Sequence, residues 1–262
     1  MILAAALGIL LAVHLGPETP VGVRTFGAAA ALQYSPAAAW NGHIGLVVWT
    51  DIRGVYPADT FPIRKNVDQM LRVSPMRADG SLVNPGGTEL FPGWNARLAS
   101  NGSSFMLAYI DRSGTHVVPL SESGMPDGVD SLVNTSYTPD YVIISNGHTF
   151  LFAGLTDGPS IEAVVFQPSG IPYALKILST GPYAALTPAA TVIGDVYAIA
   201  WRDPAIHLAL MAEDGATTDQ VILSGDESNG ILSLAAGDDR LLLAVCRAPP
   251  PRSRAATRAP AR

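Results

Sequence analysis

The stretch AWNGHIGLVVWTD, residues 39–51, contains the pattern that decides the fold. A similar stretch, ASNGSSFMLAYID, occupies residues 99–111, and weaker versions occupy 145–157 (SNGHTFLFAGLTD) and 193–203 (IGDVYAIAWRD). Each version has a turn with glycine, then an apolar run, and then a terminal aspartate. Such repetition indicates that one structural unit occurs several times along the chain.

Two series of glycines share the same spacing of about 45 residues. The first series follows the opening turns, and the second lies in turns such as RADGSL and SESGMP. The first series is Gly42, Gly102, Gly147, Gly194 and Gly237, and the second is Gly80, Gly124, Gly170 and Gly215. The interval from Gly42 to Gly102 is longer because residues 52–69 are inserted there.

Each unit has the pattern of four short strands. The Asn-Gly turn predicts a hairpin, because glycine accepts the positive φ that tight hairpins require. The second strand of each unit (GLVVW, FMLAY, FLFAG and YAIAW) is apolar at nearly every position, which is typical of strands buried on both faces. Sheets stacked around an axis provide that environment, and the period matches a β-propeller blade.

The sequence therefore predicts an all-β fold: a β-propeller of four-stranded antiparallel blades, with about four full blades and a partial fifth. A β-sandwich and an open β-solenoid remain alternatives. The expected blades span about 35–91, 92–136, 137–180 and 181–226, and the partial blade spans 227–246. Residues 21–34 could complete the partial blade and close a five-bladed ring. The alternative is that the chain is a piece of a larger propeller.

The two ends of the chain differ from the repeats in composition. Residues 1–20 begin with an apolar run that is short for a membrane span and fits a secretory signal peptide better. A buried strand, a misplaced start or a membrane anchor are alternatives. Residues 247–262 are rich in Arg, Pro and Ala, and we expect them to be disordered. We therefore expect an extracytoplasmic protein (secreted, periplasmic or on the cell surface) with no membrane span after leader removal.

Charge and cysteine content exclude several classes of function. The formal net charge is −6 although the tail contributes only arginines, so the repeats are more acidic still and would repel nucleic acid. Cys246 is the only cysteine, which excludes an intramolecular disulfide. No motif for a catalytic triad, a zinc helix, a phosphate loop or a calcium loop is present. We expect no cofactor, no metal and a monomer.

Four recurrent aspartates, at the end of each second strand, permit two interpretations. They could form a carboxylate ring that holds a cation. The favoured interpretation is that each accepts hydrogen bonds from the backbone of the turn that follows. The four are Asp51, Asp111, Asp157 and Asp203.

Tryptophans and histidines permit simpler interpretations. We expect the tryptophans to pack between blades, with Trp94, next to Pro92 and Gly93, as the most exposed of them. The four tryptophans are Trp40, Trp49, Trp94 and Trp201. His43 and His148 each follow a hairpin glycine, and we expect both to be exposed turn residues.

The insertion at residues 52–69 is the one local departure from the repeat that suggests a site. It mixes aromatic and cationic side chains, which are enriched in binding hot spots. Its candidate binding residues are Arg53, Tyr56, Phe61, Arg64 and Lys65. An insertion without any function is the alternative, because loops tolerate insertions.

The segments PAAAWNGHIGLVVWTDIRG and MLRVSPMRADGSLVNPGGTEL resemble the blade repeats of large predicted secreted proteins and lipoproteins of myxobacteria and related bacteria. The resemblance covers about residues 35–246 and weakens after the first unit. There Trp49 is matched by Tyr109, Leu155 and Trp201. It implies a propeller fold and an extracytoplasmic setting, and it implies no catalytic residues.

Three functions follow as hypotheses. The first is an exported, non-catalytic propeller that binds a protein, a glycan or a cell-surface component through loops at one end. The second is a polysaccharide hydrolase or lyase with acids in the central funnel, which needs a pair of carboxylates about 5–10 Å apart. The third is a truncated propeller without a present function.

Overall fold

A computed structural model describes residues 33–52, 69–135, 137–156, 160–179, 188–203, 205–223, 231–237 and 240–246. These residues form eighteen strands in five antiparallel sheets, of which four have four strands and the last has two. In every sheet the strands pair in chain order, so each sheet is a meander. No helix in this part of the chain is long and apolar enough to cross a membrane.

We number the sheets as blades 1 to 5. Blade 1 contains β1 (Gln33–Trp40), β2 (Gly45–Asp51), β3 (Met70–Met76) and β4 (Thr88–Pro92). Blade 2 contains β5 (Trp94–Ser100), β6 (Phe105–Ile110), β7 (Thr115–Leu120) and β8 (Ser131–Asn134). Blade 3 contains β9 (Tyr141–Ser145), β10 (Phe150–Leu155), β11 (Ile161–Phe166) and β12 (Pro172–Ser179). Blade 4 contains β13 (Ala189–Ile193), β14 (Val196–Asp203), β15 (Ala205–Met211) and β16 (Thr217–Leu223). Blade 5 contains β17 (Ile231–Ala236) and β18 (Leu241–Cys246).

The blades stack through their first strands. β1 packs against β5, β5 against β9, β9 against β13, and β13 against β17. A separate layer of buried apolar side chains fills each of the four junctions between successive blades. The second strands β2, β6 and β10 are buried at every position. In β6 and β10 alternate residues enter the layers on either side, whereas in β2 Val47 and Trp49 pack within blade 1 against Leu82. The chain therefore folds as a β-propeller with four full blades and a partial fifth, and the predicted fold class is confirmed.

The connecting loops lie on two opposite faces. The hairpin face carries the loops between first and second strands and those between third and fourth strands. The insertion face carries the loops between second and third strands. Asp51, the last residue of β2, pairs directly with Met70, the first residue of β3. The inserted segment therefore emerges from the insertion face, although residues 53–68 themselves lie outside the described residues.

The Asn-Gly turns owe their shape to the asparagine side chain as well as to glycine. The Asn41 Oδ1 accepts hydrogen bonds from the backbone N–H groups of His43 and Ile44, both at 2.9 Å. Asn101 and Asn146 bind their own turns in the same way. His43 and His148 are exposed, as the sequence predicted.

Blade 5 is covered on one side. Leu232 and Leu234, with Leu243 and Val245, pack against blade 4, whereas Ile231 and Leu242 on the other side are exposed. Gln33 and Tyr34 belong to β1, where they pair with β2. Residues 21–32 lie outside the described residues, as do the apolar leader and the Arg-rich tail. Closure of the ring by residues 21–34 therefore stays a prediction.

The prediction for Trp94 was wrong. Trp94 is partly buried in the layer between blades 2 and 3, and Trp40 is the exposed tryptophan. Gly93 alone connects β4 to β5, and its backbone lies against Tyr109 and Ile110. This short connection directs the chain inward, so the next side chain enters the core. Trp201 packs between blades 3 and 4, as predicted, whereas the buried Trp49 packs within blade 1 against Val47 and Leu82.

Candidate functional site

Towards the insertion face, three blades share an arrangement of three side chains. An aromatic residue on the second strand pairs with a basic residue on the third strand, and an acid lies beside the basic residue. In blade 1 the pair is Trp49 and Arg72, and in blade 4 it is Trp201 and His207. The Trp201 and His207 rings stack with centroids 5.1 Å apart. We call this arrangement the cross-strand triplet.

The blade 1 triplet is centred on Arg72. Its guanidinium lies 3.3 Å from the carboxylate of Asp51, donates to the carbonyls of Gly86 and Gly87 at 3.2 and 3.0 Å, and also binds Glu89. The Arg72 Nε is not aligned for a hydrogen bond, so its contact with Asp51 is an ion pair alone. Asp51 is only 1% exposed and needs this cation.

The blade 2 triplet has a second acid. His116 stacks on Tyr109, and its Nδ1 lies 3.0 Å from Oδ1 of Asp130, while Tyr109 donates to the other oxygen of that carboxylate. Its Nε2 lies 3.2 Å from Asp111. The hydrogen bond to Asp130 raises the pKa of His116, although burial opposes this shift. Burial, together with Asp130, raises the pKa of Tyr109.

Ser113 completes a Ser–His–Asp geometry in blade 2. The Ser113 Oγ lies 2.6 Å from Nε2 of His116, whose Nδ1 contacts Asp130. Nucleophilic catalysis would require the serine proton to go to the imidazole and free N–H groups to bind an oxyanion. Here Ser113 donates its proton to Asp111 at 2.6 Å, and the N–H groups of Ser113 and Gly114 bind the same Asp111 oxygen. The serine hydroxyl and these two N–H groups are therefore engaged by Asp111, and the network stabilises the turn at residues 111–114.

Sequence analysis did not find this network. The signal is present as DRSGTH, residues 111–116, in which an acid, a hydroxyl and a histidine flank a tight turn. Asp130 enters from the start of β8, and only the fold shows that it lies beside His116.

Blade 3 departs from the triplet. Gly154 pairs with Glu162 in the register, so these two residues occupy the positions of the aromatic and the basic residue. The sequence comparison had placed Leu155 there, one residue too far. A Cβ at Gly154 would lie 2.7 Å from the Cβ of Tyr141, whose ring and that of Phe152 fill the space.

Glu162 has no hydrogen-bond or ion-pair partner among the described residues. Burial raises the pKa of its carboxyl group. The acids of the triplets in blades 1, 2 and 4, in contrast, all lie beside an arginine or a histidine.

The recurrent strand-end aspartates are used within the fold. Asp111 binds its own turn, which is the favoured interpretation from the sequence. Asp51 instead accepts from Gln33 and pairs with Arg72, and Asp203 accepts from the Ser179 hydroxyl of the neighbouring blade. Asp157 lies outside the described residues. In the described part of the chain, no three His, Cys, Asp or Glu side chains are placed to hold a metal ion.

The five predicted binding residues, Arg53, Tyr56, Phe61, Arg64 and Lys65, all fall outside the described residues. The structure describes the residues on either side of this segment: Asp51 and Met70 pair at the end of blade 1 that belongs to the same face as the Asp111 turn.

A cavity of about 480 Å³ lies where the first strands of blades 3, 4 and 5 meet. Its lining is almost entirely aliphatic, with Val142, Ala190 and Leu232 among its residues and Ser233 as its hydroxyl. The described residues of this lining include no acid, base or cation.

Comparisons of the sequence with known proteins found no relative. No protein-family model matches the sequence, and no curated protein matches it. The resemblance to the myxobacterial repeats therefore stays a prediction.

Comparison of the structure gave several similar folds. A subtype N11 neuraminidase-like protein of A/flat-faced bat/Peru/033/2010 (H18N11) aligns with a TM-score of 0.51 and 11% identity, over 85% of this chain and 67% of that chain. The Dos1 propeller aligns with a TM-score of 0.44 and 11% identity, over 80% of this chain and 66% of that one. TolB from Acinetobacter baumannii aligns with a TM-score of 0.39 and 13% identity, over 71% and 42%.

The strand arrangement and the similarity to the neuraminidase-like protein define the class of fold to which this chain belongs. The chain is a β-propeller module, and at such low identity the likeness to the neuraminidase-like protein shows the fold alone. The chain spans less than two thirds of the lengths of the Dos1 propeller and TolB.

Proposed function

We propose that this chain is a non-catalytic β-propeller that works outside the cytoplasm and binds a protein, a glycan or a cell-surface component through its insertion face. The observation that carries the proposal is the direct pairing of Asp51 with Met70. This pairing fixes the two residues that flank the insertion at the end of blade 1 where the turns between second and third strands of the other blades also lie, and it supports a binding role for the aromatic and cationic residues that the sequence carries between them. Rigid scaffolds commonly carry binding residues on such loops.

The use of the acids within the fold supports binding over hydrolysis. A glycosidase needs two carboxyl groups free to reach the sugar. Asp51, Asp111 and Asp203 are all engaged by neighbouring side chains or turns. The Ser113–His116–Asp130 network lacks free oxyanion donors, which argues against acyl transfer as well.

The extracytoplasmic setting rests on the apolar leader and on the resemblance to secreted myxobacterial repeats. A fusion of the full chain to alkaline phosphatase, a reporter active only after export, tests it. We expect phosphatase activity in the bacterial host, and we expect its loss when the leader is deleted. Equal activity without the leader would contradict the proposal.

The ligand class is tested with a glycan array probed by the full chain. One variant replaces the five loop residues, Arg53, Tyr56, Phe61, Arg64 and Lys65, with serine. The matched control replaces His43, Arg77 and His148 with serine on the hairpin face. We expect sugar binding to be lost only in the loop variant. Equal binding by both variants would contradict binding through the insertion face. If the chain binds no sugar at all, a partner protein becomes the favoured ligand.

A further inference from the structure

The outermost strand of blade 3, β12, carries an exposed apolar stripe. Tyr173, Leu175 and Ile177 alternate along the strand and are 56%, 61% and 49% exposed. The register pairs Leu175 with Val164 and Ile177 with Glu162, so the stripe lies on the face of blade 3 that is directed towards blade 2. With eight residues, β12 is longer than the other outermost strands β4, β8 and β16.

The opposite face of β12 is used by the fold. Ala174 and Leu178 pack into the layer between blades 3 and 4. The stripe is therefore the part of this amphipathic strand that the described core leaves uncovered. Proteins ordinarily protect such edges with charged residues, and an apolar edge strand marks a site for pairing with another chain.

The outer edge of β12 is also open. β12 is the terminal strand of its sheet, and no described strand pairs with its outer edge. An extended peptide can be added there through main-chain hydrogen bonds, while side-chain contacts on the sheet face provide specificity.

Glu162 supplies that specificity. Its partner in the register is Ile177, so its side chain lies on the same face as the stripe, at one end of it. It has no cation beside it in the described structure, unlike Glu89 of blade 1, which binds Arg72. Lys176, the only cation of β12, lies on the opposite face. A partly buried carboxylate without a cation favours a ligand that brings one.

We infer that β12 receives an extended segment of a partner protein. Alternate apolar side chains of that segment cover Tyr173, Leu175 and Ile177, and a lysine or arginine pairs with Glu162. Charge favours this occupant over a second copy of the chain, because β12 of another copy has no cation on the stripe face. The surface follows the outermost strand of blade 3 and reaches the insertion face only at its Glu162 end, so the inference adds a second binding surface to the proposed function.

The experiment uses the full chain and an array of extended peptides with valine and threonine in alternation. One position varies among Lys, Arg, Gln and Glu, and its place along the peptide is scanned. Affinity is measured by fluorescence anisotropy. We expect peptides with Lys or Arg to bind more tightly than those with Gln, and those with Glu to bind most weakly.

Two variants and a control locate the binding. Glu162→Gln should weaken Lys and Arg peptides about tenfold and leave Gln peptides unchanged. Leu175→Thr replaces an apolar side chain with a polar one that still suits a β-strand, and it should weaken all peptides. Lys176→Gln, on the opposite face of the same strand, should leave every affinity unchanged.

Three outcomes would overturn the inference. The first is the absence of binding by any peptide on the array. The second is cation-selective binding that survives both Glu162→Gln and Leu175→Thr. The third is a concentration-dependent dimer in sedimentation velocity that Leu175→Thr abolishes, since this would make a second copy the occupant. All three altered side chains are partly or largely exposed, so each variant should keep the wild-type circular dichroism spectrum.

Discussion

His116 and Asp130 form an ion pair in which the imidazole Nδ1 lies 3.0 Å from the carboxylate Oδ1. The pair joins the third strand of blade 2 to the start of β8, and Asp111 approaches the other ring nitrogen. Two acids on opposite sides of one imidazole favour its charged form.

This pair predicts a pH dependence of stability. Because the hydrogen bond to Asp130 raises the folded-state pKa of His116 above its usual value, the stabilisation is fully present at acidic pH and is lost as the pH rises through the folded pKa. His116→Gln should therefore lower the free energy of unfolding more at about pH 5 than at about pH 9, by on the order of 1 kcal/mol. Urea unfolding measures this difference. His148→Gln, in an exposed turn, is the control. An equal loss of unfolding free energy for His116→Gln at both pH values would contradict a stabilising ion pair between His116 and Asp130.

Arg72 should be essential because it lies against a fully buried carboxylate. Arg72→Met removes the cation that lies 3.3 Å from the buried Asp51 carboxylate and should cost about 3 kcal/mol of unfolding free energy. The double variant Arg72→Met with Asp51→Asn should recover at least half of that loss, because no buried charge remains. Denaturant unfolding of the two single variants and the double variant gives the coupling energy. Additive losses would show that the two groups do not interact.

Alanine substitutions at Gly124 and at Gly102 distinguish the cost of backbone strain from the cost of disturbed packing between blades. Both have positive φ, of +83° and +90°, so alanine should cost about 1–2 kcal/mol at either position. A Cβ at Gly124 would also lie 2.7 Å from Val73 of blade 1, whereas a Cβ at Gly102 meets nothing within 4 Å. Gly124→Ala should therefore cost about 1–3 kcal/mol more than Gly102→Ala in thermal or urea unfolding. Equal costs would contradict this contact between blades 1 and 2.

Glu213 ties blade 4 to blade 3 on the hairpin face. Its Oε1 accepts hydrogen bonds from Asn146 at 2.8 Å and from Thr149 at 3.2 Å. Glu213→Ala should lower the free energy of unfolding by about 1 kcal/mol or slightly more. Glu213→Gln keeps an acceptor oxygen and should lose less than half as much. Identical losses for Ala and Gln would show that the charge alone matters.

The hairpins and the buried strands could be predicted because their causes are local. An Asn-Gly pair encodes the turn, since the Asn41 side chain binds the next backbone N–H groups without help from elsewhere. The segments MLRVSPM, THVVPL and IEAVVF match β3, β7 and β11 residue for residue. Uninterrupted apolar runs have only one satisfactory environment in an all-β chain, which is burial on both faces.

The features that could not be predicted depend on register or on distant residues. Leu155 was aligned with Trp49 because blade 3 has one more residue between this position and its aspartate, Asp157, and only strand pairing reveals Gly154 at that position. Asp130 meets His116 because a loop returns from the hairpin face to start β8. Asp51 has partners on other strands in Gln33 and Arg72, and Asp203 has one on another blade in Ser179, whereas Asp111 binds its own turn as the sequence predicted.

Each of the four apolar layers between successive blades belongs to a pair of blades, and in the described part of the chain only the small cluster of Val47, Trp49 and Leu82 lies within one blade. Loss of one blade would therefore expose to water the apolar surface of each neighbouring blade that it had covered. The energetics of such an array are those of nearest neighbours, as in linear repeat proteins, and the central blades gain from two contacts where a terminal blade gains from one. Among the described residues, unfolding should consequently begin at blade 5, which packs against a neighbouring blade on one side.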